Sequence, residues 1–589
     1  MRHGVLTVAL EARKGTWHPE GEAGPRLELE AFGEAGGALQ IPGPLIRVRA
    51  GTEVRVLLRN ALERPLLVRG LHDRSGASAD SVDLGPGEVR DLRFRVTMPG
   101  TYYYWGRTVG DRRGLARTDD SQLIGALIVD PAAAAPAQDR ILLISSWVHP
   151  ADTALPLGRR REVLAINGGS WPHTERLIHG VGDSVRWRVL NGSVRLHTMH
   201  LHGFYFWVES RGTSERDTVY GAGERRLAVT EFMAAGTTMS LLWVPTRPGN
   251  WLFHCHLLAH IAPQIRLPHA RPGTPAGAGA HGRMGTTSHA FEGMAGLVMG
   301  IEVVPRGERV TESLAQARRT LRLFAHKRAR YFGEAAGYGY VLQEGPSPPA
   351  ADSIRIPGSP IVLQRGEPVD ITVVNRTDEP VSVHWHGVEV ESYYDGVADW
   401  SGSPGRTAPL IAPGDSFVVR FTPDRAGTFI YHTHQDESLQ LSSGLYGPLV
   451  VLAPGASYDA ATDLVFLVGR GGPGLEAPPL LNGSTAPGPL DWKVGATYRL
   501  RFINITPNDV EHIALLRDST VQAWRAFAKD GADLAAQQAT VRRAGVLLGP
   551  GETYDFEFTP SVAADFSLVA TIRSRDRTIG TIRVPIRAR

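Results

Sequence analysis

Cys255 is the only cysteine of the chain, and it lies in the segment Trp251-Leu252-Phe253-His254-Cys255-His256-Leu257-Leu258-Ala259-His260. A strand turns successive side chains to opposite faces. Cys255 is therefore expected to face one way and His254 and His256 the other, so that one segment serves two metal sites back to back. A cysteine thiolate with two imidazoles is the ligand set of a blue-copper electron-transfer centre. The plainer alternative is a small buried core residue with histidine neighbours. Three further His-x-His pairs weigh against it: His200/His202, His384/His386 and His432/His434. Each pair presents two rings on one strand face, and imidazole favours copper, zinc, iron or nickel over hard cations. The eight rings are expected to converge between two domains. His197 falls three residues before His200 and so points with Cys255. His260, beyond the strand, returns to complete that trigonal set.

The elements that must position these side chains are short β-branched and apolar runs such as Val54-Arg55-Val56-Leu57-Leu58, separated by Gly, Pro, Asn and Asp. Helical periodicity is scarce, which argues for β-sandwich domains. At 589 residues the chain exceeds what one core supports. An internal repeat sets the plan. Residues 43–65 (GPLIRVRAGTEVRVLLRNALERP) return as 358–380 (GSPIVLQRGEPVDITVVNRTDEP), with Asn60 and Asn375 at one constant offset. A weaker match relates Ile166-Asn167-Gly168 to Leu481-Asn482-Gly483, and Arg188-Val189-Leu190-Asn191 to Arg501-Phe502-Ile503-Asn504. The expectation is all-β: four Greek-key sandwich domains from a duplicated two-domain unit, at 1–135, 136–305, 306–455 and 456–589.

The copies differ in their histidines. Arg69, Leu71, Trp105 and Arg107 stand in the first domain where the third has His384, His386, His432 and His434. In the fourth domain Ala570 stands at the Cys255 position, and His512 lies near the equivalent of His197 without a cysteine to serve. Metal ligands are thus expected only in the two middle domains.

Four signatures, His-Trp-His-Gly at 384–387, His-Thr-His at 432–434, His-x-x-His-x-His at 197–202 and His-Cys-His-x-x-x-His at 254–260, together resemble the multicopper oxidases. The resemblance implies cupredoxin-like domains and four copper ions. His197, Cys255 and His260 would bind type 1 copper, His200 and His384 type 2, and His202, His254, His256, His386, His432 and His434 the type 3 pair. It implies one-electron oxidation of a donor at type 1 copper, with electrons passing through Cys255 to the trinuclear cluster, where dioxygen is reduced to water. Asp395 lies where the family often has an acid that assists proton delivery; the local alternative is a turn-forming Asp-Gly. Departures from the family pattern are the late position of His-Trp-His-Gly, Ile261 after His260 in place of an acid, and the axial position. Ten residues past Cys255 stands Ile265, whereas Met294, after an insertion at 266–292, sits in a segment that resembles the family's ending around an axial methionine. Met294 is the favoured axial ligand, Ile265 the alternative neighbour. The insertion also carries His269, His281, Met284 and His289, read as a loop with incidental histidines.

The expected function is laccase-like oxidation of phenols or aromatic amines by dioxygen. The alternatives are a metallo-oxidase acting on Cu(I), Fe(II) or Mn(II), a copper nitrite reductase, and a copper-binding or electron-transfer protein without turnover. Eight methionines with no Met-rich segment favour small organic donors. A net charge of +3 without a basic stripe excludes a nucleic-acid partner by this reading, and no apolar run is long enough to span a bilayer. The first residues do not form a signal peptide, so the compartment is periplasmic or extracellular if a leader was removed, otherwise cytoplasmic. A monomer is favoured.

Overall fold

The strands of the computed structural model fall into eight sheets. It describes residues 4–75, 81–108, 121–133, 138–149, 152, 161–267, 289–307, 317–474, 476–574 and 577–589. The sheets come in pairs along the chain, between residues 5 and 130, 139 and 304, 319 and 452, and 463 and 588, with Gly402–Ser403 and Arg406–Thr407 added to a sheet of the second pair. Each pair encloses its own apolar core. The strand Glu53–Asn60 shows how: Val54, Val56 and Leu58 are fully buried while Glu53, Arg55, Leu57 and Arg59 are turned outward, the period-two pattern of a sheet with one wet face. No helix among the described residues is long and apolar enough to cross a membrane.

The repeat read from the sequence is a repeat of contacts. In all four sandwiches a fully buried asparagine closes the same turn, with its Nδ2 donating to the backbone of Arg64, Arg195, Glu379 or Asp509 at 2.7–2.9 Å. The guanidinium of Arg188 reaches back to Thr101 Oγ1 of the first sandwich, 2.7 Å, and Arg501 reaches Thr428 Oγ1 of the third, 2.8 Å. Gly168 and Gly483, both at φ 81°, follow Asn167 and Asn482 in matching turns. A Cβ on either would lie 2.2 or 2.0 Å from the carbonyl oxygen of Ile41 or Ile356, so only glycine lets the two sandwiches of each half approach.

Two strand pairings place the site. His197–Leu201 runs antiparallel to Gly249–Cys255, with Met199 opposite Cys255 and His200 opposite His254. His384–His386 runs antiparallel to Gly427–His432, with His384 opposite His432. The first sandwich keeps the latter register with Arg69 opposite Trp105, as the repeat comparison expects. The fourth sharpens the reading of His512. Ala570 pairs with Ile513, so the position two residues back, matching His197, belongs to Glu511. Glu511 is fully buried, whereas His512 faces outward. A one-residue shift in register exchanges the two faces of a strand.

Candidate metal centre

The Cys255 strand does face two ways. On one side, the Sγ of Cys255 lies 3.4 Å from His260 Nδ1 and 3.6 Å from His197 Nδ1, and the two ring nitrogens are 3.1 Å apart. All three residues are buried. His197 is oriented from behind by Ser193 Oγ, 2.8 Å from its Nε2. His260 sits in the turn Leu258–His260, where the chain leaves the strand and doubles back. Its carbonyl accepts from Leu297 N at 3.0 Å, and the Leu297 carbonyl accepts from Cys255 N at 3.0 Å. This ladder brings the segment with Met294 beside the site. Met294 is buried in the core that holds Cys255, and Ile265 packs half-buried against the same core. Burial pushes the Cys255 thiol up to about 12.

On the other side, four His-x-His pairs from two sandwiches meet within one chain. His202 Nε2 is 2.9 Å from His254 Nε2, and His200 Nε2 is 3.3 Å from His384 Nε2. His256, His386 and His432 form a further group with ligand atoms within 4.8 Å of one another. The ring of His434 lies 5.3 Å from that of His202 and 5.6 Å from that of His254. Most outer ring nitrogens are tied down, which fixes ring orientation. His200, His254, His384 and His432 direct Nδ1 at the carbonyls of Val229, Cys255, Asp395 and Thr433, at 2.7–2.9 Å. His386 Nε2 is 3.0 Å from Thr230 Oγ1, which also lies 3.0 Å from His200 Nδ1. Burial and the crowding of like rings hold His200, His254, His256, His386 and His434 well below the usual imidazole range.

Asp395 joins the two sandwiches at the cluster. Its Oδ2 accepts from His202 Nδ1 at 2.8 Å and from Ser401 Oγ at 3.0 Å, while its backbone carbonyl accepts from His384. Burial alone would raise this carboxyl, but the imidazoles of His202 and His384 hold it well below the usual range. The turn is present too: Gly396 has φ 90°, and a Cβ there would lie 1.9 Å from the Val383 carbonyl oxygen. The loop continues onto the Cys255 strand, where Ser392 Oγ donates to Asn250 O at 2.6 Å and Trp400 Nε1 to Trp251 O at 3.0 Å.

Two neighbours of the cluster go beyond the residues expected from the sequence. Glu437, three residues past His434, has a carboxylate oxygen 4.0 Å from His434 Nδ1. Burial, with help from Asp436, pushes it up to about 8. His289, assigned only to the insertion, is buried with its ring 6.1 Å from that of His434. The i, i+3 spacing from His434 is a signal for Glu437; nothing local signals His289. His269, His281 and Met284 lie outside the described residues.

The donors fit copper. Among the described residues, His256 Nε2, His386 Nδ1, His432 Nε2 and both ring nitrogens of His434 are buried without a hydrogen-bond partner. Leaving a buried polar atom unpaired costs about 1–3 kcal/mol, and these orphans all converge on one cluster. Clustered imidazole donors, next to a cysteine with two imidazoles, suit copper above the other first-row metals.

Comparison with known proteins agrees. One family model described as Multicopper oxidase matches residues 36–134 and again 353–456, and a second of the same description matches 148–267. Together they cover more than half of the chain, and the first falls on both copies of the repeat. A copper resistance protein A homolog of Pseudomonas syringae pv. tomato is 41% identical over 96 residues, 16% of this chain and 15% of that one. Laccase-1 of Botryotinia fuckeliana is 39% identical over 116 residues, 19% of either chain. The chain thus spans less than a fifth of the length of these curated relatives. Among solved structures, a blue copper oxidase from Nitrosomonas europaea matches at 23% identity with a TM-score of 0.36, covering 46% of this chain and 86% of that one.

Proposed function

The chain belongs to the multicopper oxidase family, and on that premise we propose that it is a laccase-like enzyme that couples oxidation of phenols or aromatic amines to reduction of dioxygen. In this reading His197, Cys255 and His260, with Met294 in the same core, would hold type 1 copper. His200 and His384 hold type 2 copper. The type 3 pair is held by two trios, His256/His386/His432 and His202/His254/His434. Domains divide at 1–135, 136–305, 306–455 and 456–589. Bound copper supplies one-electron acceptance at the cysteine site and four-electron reduction of dioxygen to water at the histidine cluster.

The residues do the rest. Cys255 and His254 are consecutive, and His254 Nδ1 also donates to the Cys255 carbonyl at 2.9 Å, so the two sites share a covalent link and a hydrogen bond. Burial of the rings keeps bulk water from the cluster. Asp395, held as a carboxylate by His202 and His384, orients both rings.

The observation that carries the reading is the convergence of orphaned ring nitrogens on a cluster that shares one strand with the only cysteine. The test is oxygen uptake by the copper-loaded protein with a methoxyphenol, Fe(II) or Cu(I) as donor. Phenol-dependent uptake at about four electrons per dioxygen is expected. Uptake with the metal ions alone would replace this reading by a metallo-oxidase, and blue colour without any uptake by an electron carrier.

A further inference from the structure

The fourth sandwich reaches the backbone behind the histidine cluster through two buried carboxylates, Asp530 and Glu552. The strand Thr230–Met233 is the last of its sheet, paired on one side with His197–Leu201. Its other edge would leave backbone N–H groups unpaired in the interior, where each must find an acceptor. The acceptors come from some three hundred residues away. Asp530 Oδ2 accepts from Val229 N and Thr230 N, both at 3.0 Å, and its Oδ1 accepts from Thr553 N at 3.0 Å. Glu552 Oε1 accepts from Phe232 N at 3.2 Å. Lys529 Nζ lies 2.7 Å from Glu552 and 3.5 Å from Asp530, so the two buried acids have a buried cation beside them.

The two residues that Asp530 grips are the ones that aim two rings. The Val229 carbonyl is the partner of His200 Nδ1, and Thr230 Oγ1 is the partner of His386 Nε2. His200 belongs to the second sandwich and His386 to the third. A single oxygen of the fourth therefore fixes the backbone on which rings from both halves of the cluster are oriented.

We propose that Asp530 is a positioning residue for the copper cluster: by holding the backbone of Val229 and Thr230 it sets the orientation of His200 and His386. The inference rests on the copper-cluster reading above. Loss of a group behind a metal ligand typically costs 10–100-fold in metal affinity. The effect falls on the cluster rather than the cysteine site, because His197 is oriented by Ser193 and the His260 turn is held by Pro507 O and Asn508 Oδ1, bonds in which Asp530 takes no part.

Asp530→Ala and Asp530→Asn are compared with wild type by chelator-competition titration of copper, by the paramagnetic resonance signal of type 2 copper, and by the blue absorption. Thr428→Val serves as a control that loosens the contact of the fourth sandwich with the third, through Arg501 and Asp555, without touching Val229 or Thr230. The expected result is a cluster affinity lower by about 10–100-fold and an altered or missing type 2 signal, with the blue absorption kept. Asp530→Asn, which retains one acceptor oxygen, should fall between alanine and wild type. If the alanine variant does not fold, a shifted type 2 signal in Asp530→Asn supports the proposal and an unshifted one overturns it. Unchanged affinity and type 2 signal would overturn the proposal, as would an equal change in Thr428→Val. A wild type without any type 2 signal would instead overturn the copper-cluster reading itself.

Discussion

Cys255 shows what a single residue can specify. Its thiol is driven up by burial and faces two imidazole Nδ1 atoms, so it has no use as a free thiol and every use as a ligand, which binds as the thiolate. Cys255→Ser should abolish the blue absorption and donor-dependent oxygen uptake while leaving most of the type 2 signal; retention of the blue band would sink the type 1 assignment. The ligands are legible in the sequence because their chemistry is rare and their spacing obeys strand alternation. Residues of ordinary chemistry are not. Thr230 and Ser193 look like any other hydroxyl until the fold brings them to a ring nitrogen. His512 is one residue off the inward position, since a weak repeat does not fix register, and Glu511 takes its place.

At the scale of elements, the informative unit is the loop after His-Trp-His-Gly. The interval from Pro65 to Gly100 in the first sandwich is 12 residues shorter than that from Pro380 to Gly427 in the third, a difference that points to a loop serving the site. The loop supplies Asp395 to two rings and then lays Ser392 and Trp400 against the backbone of the Cys255 strand. It depends on Gly396, whose left-handed conformation and contact with Val383 leave no room for a side chain. Gly396→Ala should cost at least about 1–3 kcal/mol, read as a fall in the denaturation midpoint, and should loosen copper held by His384 and His202. A midpoint and copper content equal to wild type would show that the loop tolerates the change and does not set those rings. The loop's presence is legible from its length; its docking on another domain is not, because side chain to backbone bonds over some 150 residues leave no local pattern.

For the whole molecule, the duplication explains how four similar sandwiches divide their work. Sandwiches within each half are joined by an arginine: half-buried Arg188 with Thr101 and Asp139, and buried Arg501 with Thr428, Asp463 and Asp555. Breaking a buried ion pair by removing one partner costs about 3–5 kcal/mol. Arg501→Ala should lose stability in that range in chemical denaturation of the copper-free chain, and a loss under about 1 kcal/mol would show that the charges there contribute little. The halves are joined differently. Across the middle, the ring of His256 meets those of His386 and His432, each with a buried nitrogen that has no hydrogen-bond partner among the described residues. A species that binds the folded chain and not the unfolded one stabilises it by RT ln(1 + [L]/Kd), about 1.4 kcal/mol for each tenfold excess. Copper is therefore also a fastener between the halves. Starved of it, the chain should open first along that seam, so that the supply of the metal governs how long the protein survives before it governs how fast it works.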